Sequence, residues 1–306
     1  MAESYKIIAE QDYCTVVAKY ESSRKNGNAY QSEQDLERWL IEQLQRQGYE
    51  YPSIHNEKEL LENLRIQLGK ANDTEYSDKE WKSLQNKLTG ETLTMEDKAG
   101  MIQKENTAVE IERDNGIKTN VHLIHKDNVF KNNLQVINQY VPAGGTHANR
   151  YDVTILVNGL PLVHIELKRR GVSIREAFNQ INRYARESFW AGKGMFDYIQ
   201  LFIISNGTET KYYSNTTRYA REQEADKQKG KKKKIQSNSF EFTSYWSDRE
   251  NNLICDLEDF TKTFLVKRTL LEILTKYCVF NVDKELLVMR PYQIAATESI
   301  TQCIKI

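Results

Sequence analysis

Two runs of alternating side chains, RYDVTILV and PLVHIELK, flank Asn158-Gly159, and they constrain the fold more than any other stretch of the sequence. Asn-Gly tolerates the positive φ angles of a type I′ turn, whose twist suits a pair of antiparallel strands. The pattern predicts a β-hairpin. Upstream, TAVEIE, VHLIH and LQVINQYV alternate apolar with polar, as half-buried strands do. Downstream, YIQLFIIS at 198–205 is continuously apolar, as in a strand buried on both faces, and ETKYYS reads as the next strand. Between them SIREAFNQINRYARE, residues 173–187, reads as a helix opened by Ser173, with Glu176 completing a capping box.

Helical spacing dominates both ends. Residues 33–47 repeat Leu36, Leu40 and Leu44 every fourth position beside Trp39, with Ser32 and Asp35 as a capping pair and Gly48 as the stop. Residues 56–106 hold three more helical patterns, broken near Asn72-Asp73 and Gly90. DLEDFTKTFL, RTLLEILTKY and MRPYQIAATESI follow at the far end. Helices, a run of strands, a helix and more strands predict an α/β fold: a mixed central β-sheet flanked by helices.

Composition excludes several classes. No stretch of the 306 residues approaches the roughly 18 apolar positions of a membrane span, and the start carries no basic-then-apolar signal. Cys14, Cys255, Cys278 and Cys303 lie far apart without CxxC spacing, which argues against a disulfide framework or a zinc site and for a cytoplasmic location. Five dispersed histidines show no HxxxH pairing. With 43 basic and 43 acidic side chains, any affinity for nucleic acid needs positive charge gathered on one face.

The hairpin carries the chemistry. Period two puts Glu166 and Lys168 on one face of their strand, with Val163, Ile165 and Leu167 on the other. The turn brings Asp152 alongside if the register matches. Two carboxylates and an ammonium at one point suit phosphodiester hydrolysis, in which a hard divalent cation neutralises charge on the phosphoryl oxygens and acidifies a bound water. Asp152, Glu166 and the backbone carbonyl of Leu167 are the expected protein ligands of Mg²⁺, with Mn²⁺ as a substitute. Lys168 would position the water, or act as base if its pKa, about 10.4 when free, were depressed. A surface ion pair gives the same residue pattern. Glu37, with Glu33 one turn earlier, either reaches the metal or lies on a solvated helix flank. His164 shares the face of Glu166 and Lys168, as a packing neighbour.

Asp152 followed by Glu166-Leu167-Lys168 resembles the D…ExK core of PD-(D/E)XK nucleases, with Tyr151 in place of the proline. Gln180 and Tyr184 match the QxxxY motif of the RecB-like branch, and their spacing of four shares a helix face. NRYDVTILVNGLPLVHIELKRRG, the helix after it and IISNGTETKYYSN resemble the N-terminal nuclease domain of the type I restriction enzyme motor subunit, HsdR, as does SEQDLERWLIEQLQRQGYEY. The resemblance runs from about Ser32 to the C-terminus. It implies Mg²⁺-dependent cleavage of double-stranded DNA, methyltransferase and specificity subunits as partners, and no membrane. It also implies that Gln180 and Tyr184 belong to the catalytic set.

The resemblance divides the chain into an endonuclease domain, 1–260, and linker helices with the beginning of a superfamily 2 helicase-like motor, 261–306. Arg290, Tyr292 and Gln293 look like that motor's adenine-contacting lead-in; an ordinary helix with Pro291 in its first turn reads the same way. No GxxxxGK[ST] occurs, so ATP would be bound only by a longer subunit. Arg169, Arg170, Arg183 and Arg186 flank the site as candidate phosphate contacts. The run Lys227–Lys234 is either a solvated loop tip or a further one. Two other functions fit the same residues: another RecB-like repair nuclease, or a non-catalytic DNA-binding or coupling domain that keeps the fold.

Overall fold

The computed structural model describes residues 14–22, 31–90, 92–104, 107–142, 150–184, 194–215, 240, 243–281 and 286–304. Four helices come first: α1 (Glu33–Arg46), α2 (Glu57–Ala71), α3 (Asp78–Thr89) and α4 (Met95–Gln103). Strands β1 (Ala108–Glu112), β2 (Lys118–His122), β3 (Leu134–Tyr140), β4 (Tyr151–Val157) and β5 (Leu160–Leu167) follow, then α5 (Ile174–Tyr184), β6 (Leu201–Ser205) and β7 (Thr210–Ser214). Short strands β8 (Trp246–Ser247) and β9 (Leu253–Ile254) lead to α6 (Leu257–Thr263) and α7 (Lys267–Lys276). Strands β10 (Cys278–Phe280) and β11 (Leu286–Val288) precede α8 (Pro291–Ile304).

The central sheet has the order β3-β4-β5-β6-β7 and is mixed: β5 and β6 are parallel, the other neighbours antiparallel. The parallel pair needs a long crossover, and α5 lies within it. Every residue of β5 and β6 is buried, as expected of strands with neighbours on both edges and layers on both faces. The alternating text of β1 and β2 builds a two-stranded hairpin of its own, separate from the central sheet.

The turn is set by its residues. Asn158 (φ 50°) and Gly159 (φ 84°) take the two left-handed positions. A Cβ on Gly159 would sit 2.7 Å from the Leu64 Cα, so α2 crosses the turn too closely for any side chain. The Asn158 amide is buried and donates to Leu123 O at 3.0 Å and Asn132 Oδ1 at 2.8 Å, satisfying groups that water cannot reach.

Helix α1 is fixed at its start by the expected capping box between Ser32 and Asp35, and it buries Leu36, Leu40 and Leu44. Each leucine removed from water contributes about 1.5–3 kcal/mol. Lys98 of α4, fully buried, pairs with Asp197 at 2.7 Å and anchors the turn that feeds β6. Elements from the far end pack onto the sheet as well: the Tyr212 hydroxyl donates to Met289 O and the Ser214 hydroxyl to Leu286 O. No described helix is long and apolar enough to cross a membrane, and none of the four cysteines is in a disulfide.

Candidate active site

A bulge decides whether the carboxylates meet. Next to the turn Val157 pairs with Leu160 and Leu156 with Pro161; beyond a shift at Ile155/Leu156, Ile155 pairs with Val163 and Val153 with Ile165. Continued without the shift, the first register would set Asp152 opposite Ile165. The extra residue sets it opposite Glu166. A one-residue slip exchanges the two faces of a strand, so the bulge places both carboxylates on one face. Asp152 Oδ2 accepts the Leu167 N–H at 2.9 Å, which closes the end of the hairpin.

Lys168 completes the group. Its Nζ donates to Leu167 O at 2.9 Å and lies 3.4 Å from Glu166 Oε1 and 3.6 Å from Glu33 Oε2. This is a buried cluster and not a surface ion pair: Glu166 is 0% exposed and Lys168 7%. Burial, and then repulsion from Glu166, holds the Asp152 pKa well above the carboxylate range, against the Leu167 N–H, Lys168 and His164. Burial pushes Glu166 to about 8, against Lys168 and a hydrogen bond from Asp152, with Glu33 adding to the rise. Without a stronger cation beside them, both carboxyls resist ionisation. Two acids at one point, Asp152 half-buried and Glu166 buried, and a carbonyl beside them fit a hard divalent ion. Among the described residues no trio of His, Cys, Asp and Glu side chains converges, so water would fill the remaining positions, as Mg²⁺ tolerates.

His164 is the packing neighbour expected. Its Nε2 is 3.3 Å from Glu166 Oε2 and its Nδ1 3.4 Å from Thr154 Oγ1. Burial lowers its pKa to about 4, so the ring is neutral at pH 7.

Helix α1 meets this region through two glutamates. Glu37 is not a solvated flank: it is buried, and its two oxygens accept from the Asn138 amide at 2.5 Å and the Gln139 amide at 2.6 Å. Those bonds fix the carboxylate against β3, with one acceptor site used on each oxygen. Glu33, one turn earlier, is the residue that reaches Lys168. Gln139 has φ 53°, a left-handed conformation uncommon for a residue with a Cβ, and it falls opposite Asp152 between the pairs Asn138–Val153 and Tyr140–Tyr151. Glu37 therefore holds a strained residue beside the first carboxylate. Nothing in the sequence marks Gln139; the spacing of four between Glu33 and Glu37 was the one visible signal that both face the sheet.

The other candidates separate. Gln180 is half-buried on α5, and Tyr184 ends the described part of that helix. Ser173 opens it, its Oγ accepting the Arg175 N–H at 3.3 Å. Arg169 is exposed. Arg170 is partly engaged: its Nε donates to Gln31 at 2.7 Å, its NH2 is 4.0 Å from Asp256, and its stem packs against Gly207. The side chain of Arg183, all of Arg186 and the run Lys227–Lys234 lie outside the described residues. Gln293 Oε1 accepts the Arg290 N–H at 2.8 Å and so caps α8, while Tyr292 is 51% exposed.

The profile of the type I restriction enzyme R protein N terminus matches residues 30–221, from just before α1 to just past β7. The chain belongs to this family. The match takes in Asp152, Glu166, Lys168 and α5. An Escherichia coli relative of the family, the type I restriction enzyme EcoprrI endonuclease subunit, is 47% identical over 311 aligned positions, covering all of this chain and 92% of the relative. The Staphylococcus aureus SauMSSORF170P endonuclease subunit is 37% identical over 280 positions, and the Staphylococcus saprophyticus SsaAORF53P endonuclease subunit 39% over 277. The chain spans 27% of the length of each staphylococcal relative.

Proposed function

We propose that this chain is the nuclease part of a type I restriction motor subunit and hydrolyses phosphodiester bonds of double-stranded DNA with Mg²⁺, Mn²⁺ substituting. The observation that carries the reading is the convergence of half-buried Asp152 and buried Glu166 beside Lys168, two acids whose mutual repulsion favours a cation between them. The names of the relatives, endonuclease subunits of type I restriction enzymes, support it. Asp152, Glu166 and the Leu167 carbonyl would hold the metal, which when bound polarises the phosphate and lowers the pKa of a water.

Lys168 is held by three acceptors as a positioner of the attacking water or of a phosphoryl oxygen. Gln180 and Tyr184 orient Lys168 or the DNA without binding metal. In the full subunit the segment from about residue 261 begins the motor, with Arg290, Tyr292 and Gln293 near adenine; Gln293 would then exchange its capping bond for the nucleotide. ATP, the methyltransferase and specificity subunits and a cytoplasmic setting belong to that larger assembly.

A calorimetric titration of Mn²⁺ into the wild type and into Asp152→Ala and Glu166→Ala tests the metal site, with loss of binding expected in both variants. Nicking of supercoiled plasmid by the assembled complex, with and without Mg²⁺, tests the reaction. Equal affinity in all three proteins, or nicking that ignores the metal, would overturn the reading.

A further inference from the structure

One row crosses the sheet from the candidate site to its far edge. Glu166 of β5 pairs with Ile204 of β6, and Ile204 pairs with Lys211 of β7. Residues paired across strands share a face, and strands lie about 4.8 Å apart, so Lys211 stands on the face of Glu166 about 10 Å away. Arg175, in the first turn of α5, comes to the same place: its guanidinium carbon is 4.6 Å from the Phe240 ring centre, and the Lys211 ammonium is also 4.6 Å from it. Lys211 lies 4.5 Å from the Tyr245 ring as well.

Neither cation makes an ion pair among the described residues. Glu209, whose charge attracts Lys211, accepts the Tyr245 hydroxyl at 3.3 Å. Burial lowers the Lys211 pKa, attraction to Glu209 and to the Cys255 thiolate opposes that, and repulsion from Arg175 adds a smaller push downward. Ring contacts of this kind hold a cation in place and leave its charge unneutralised. Two fixed, mutually repelling cations are stabilised when an anion lies between them.

We propose that Arg175 and Lys211 form a phosphate clamp for the DNA backbone, seating the duplex so that its scissile bond lies over Asp152 and Glu166. The inference rests on the nuclease reading and adds to it a contact surface on residues that the sequence motifs do not include. A separation of about 10 Å spans about three nucleotide steps of axial rise on one strand, at 3.4 Å each. The clamp therefore touches the strand being cut a few nucleotides from the cut, and it carries no sequence preference.

The test is fluorescence-anisotropy binding of a labelled duplex by the whole chain, across a series of salt concentrations and with Ca²⁺ in place of Mg²⁺. Arg175→Gln and Lys211→Met each lower the slope of log affinity against log salt by about 0.9, and the double variant by close to 2. Arg175→Lys with Lys211→Arg keeps the wild-type slope. The thermal midpoint of each variant reports whether the Phe240 packing survives. A slope unchanged in the double variant, with Mn²⁺ binding intact, overturns the clamp and leaves the nuclease reading standing. A wild-type chain that binds no duplex at low salt overturns the clamp, and one that also binds no Mn²⁺ overturns both.

Discussion

Replacing Glu166 with glutamine should make the metal-free protein more stable at alkaline pH, although it removes a partner of Lys168. In the folded chain burial lifts the Glu166 pKa from 4.5 to about 8. The folded state thus keeps a proton that the unfolded chain gives up, and stability falls as pH rises between those two values. The acid costs nothing below about pH 4.5 and carries its full penalty above about pH 8. At pH 7 about 2.5 pH units of that window have been crossed, which at 1.36 kcal/mol per unit is about 3 kcal/mol. Glu166→Gln recovers only part of this, because the uncharged amide oxygen is a weaker acceptor for Lys168 than a carboxylate. For a chain of this size about 2 °C accompanies each kcal/mol, so the midpoint should rise by about 3–5 °C. The assay is thermal unfolding in chelator at pH 5 and pH 8. Glu166→Gln should match the wild type at pH 5 and exceed it at pH 8. Adding Mg²⁺ at pH 8 should raise the wild type by a similar amount, about 2.7 kcal/mol at a hundredfold excess over Kd, and leave the variant unmoved. A variant that melts below the wild type at both pH values would refute the reasoning, since Glu166 would then be a stabilising structural partner of Lys168.

Other outcomes follow from the same packing. Glu37→Ala should release Gln139 and slow plasmid nicking about tenfold or more while Mn²⁺ affinity stays within a few-fold; loss of the metal would make Glu37 a ligand after all. Gln180→Ala should slow cleavage with metal affinity near the wild type, and normal cleavage would reduce α5 to a structural element. Lys98→Met strands the buried Asp197 carboxylate and should destabilise by about 3–5 kcal/mol in denaturant titrations; a change below about 1 kcal/mol would mean that water reaches Asp197. In a full-length subunit, Asp152→Ala should abolish cutting and leave DNA-stimulated ATP hydrolysis running, measured as phosphate release; joint loss would tie the residue to the motor.

The sequence alone determined what local rules govern. The Asn158-Gly159 turn, the capping box of α1, the leucine face at 36, 40 and 44 and the buried run of β6 are each decided by neighbours within a few residues, through φ preference, side-chain period and unsatisfied helix amides. The motif residues of the hairpin were legible for the same reason. The tertiary structure decided what depends on register and on contacts between distant segments. The shift at Ile155/Leu156 leaves no mark in the alternation of β4, yet without it Asp152 would face away from Glu166. Gln31, Asp256 and Gly207, remote in sequence, meet at Arg170. Glu37 became a brace for Gln139 because α1 crosses the edge of β3, and Arg175 met Lys211 because α5 returns over the sheet. A strand's own residues fix its period, but only its partners fix its register, and register is what brings two acids to one point.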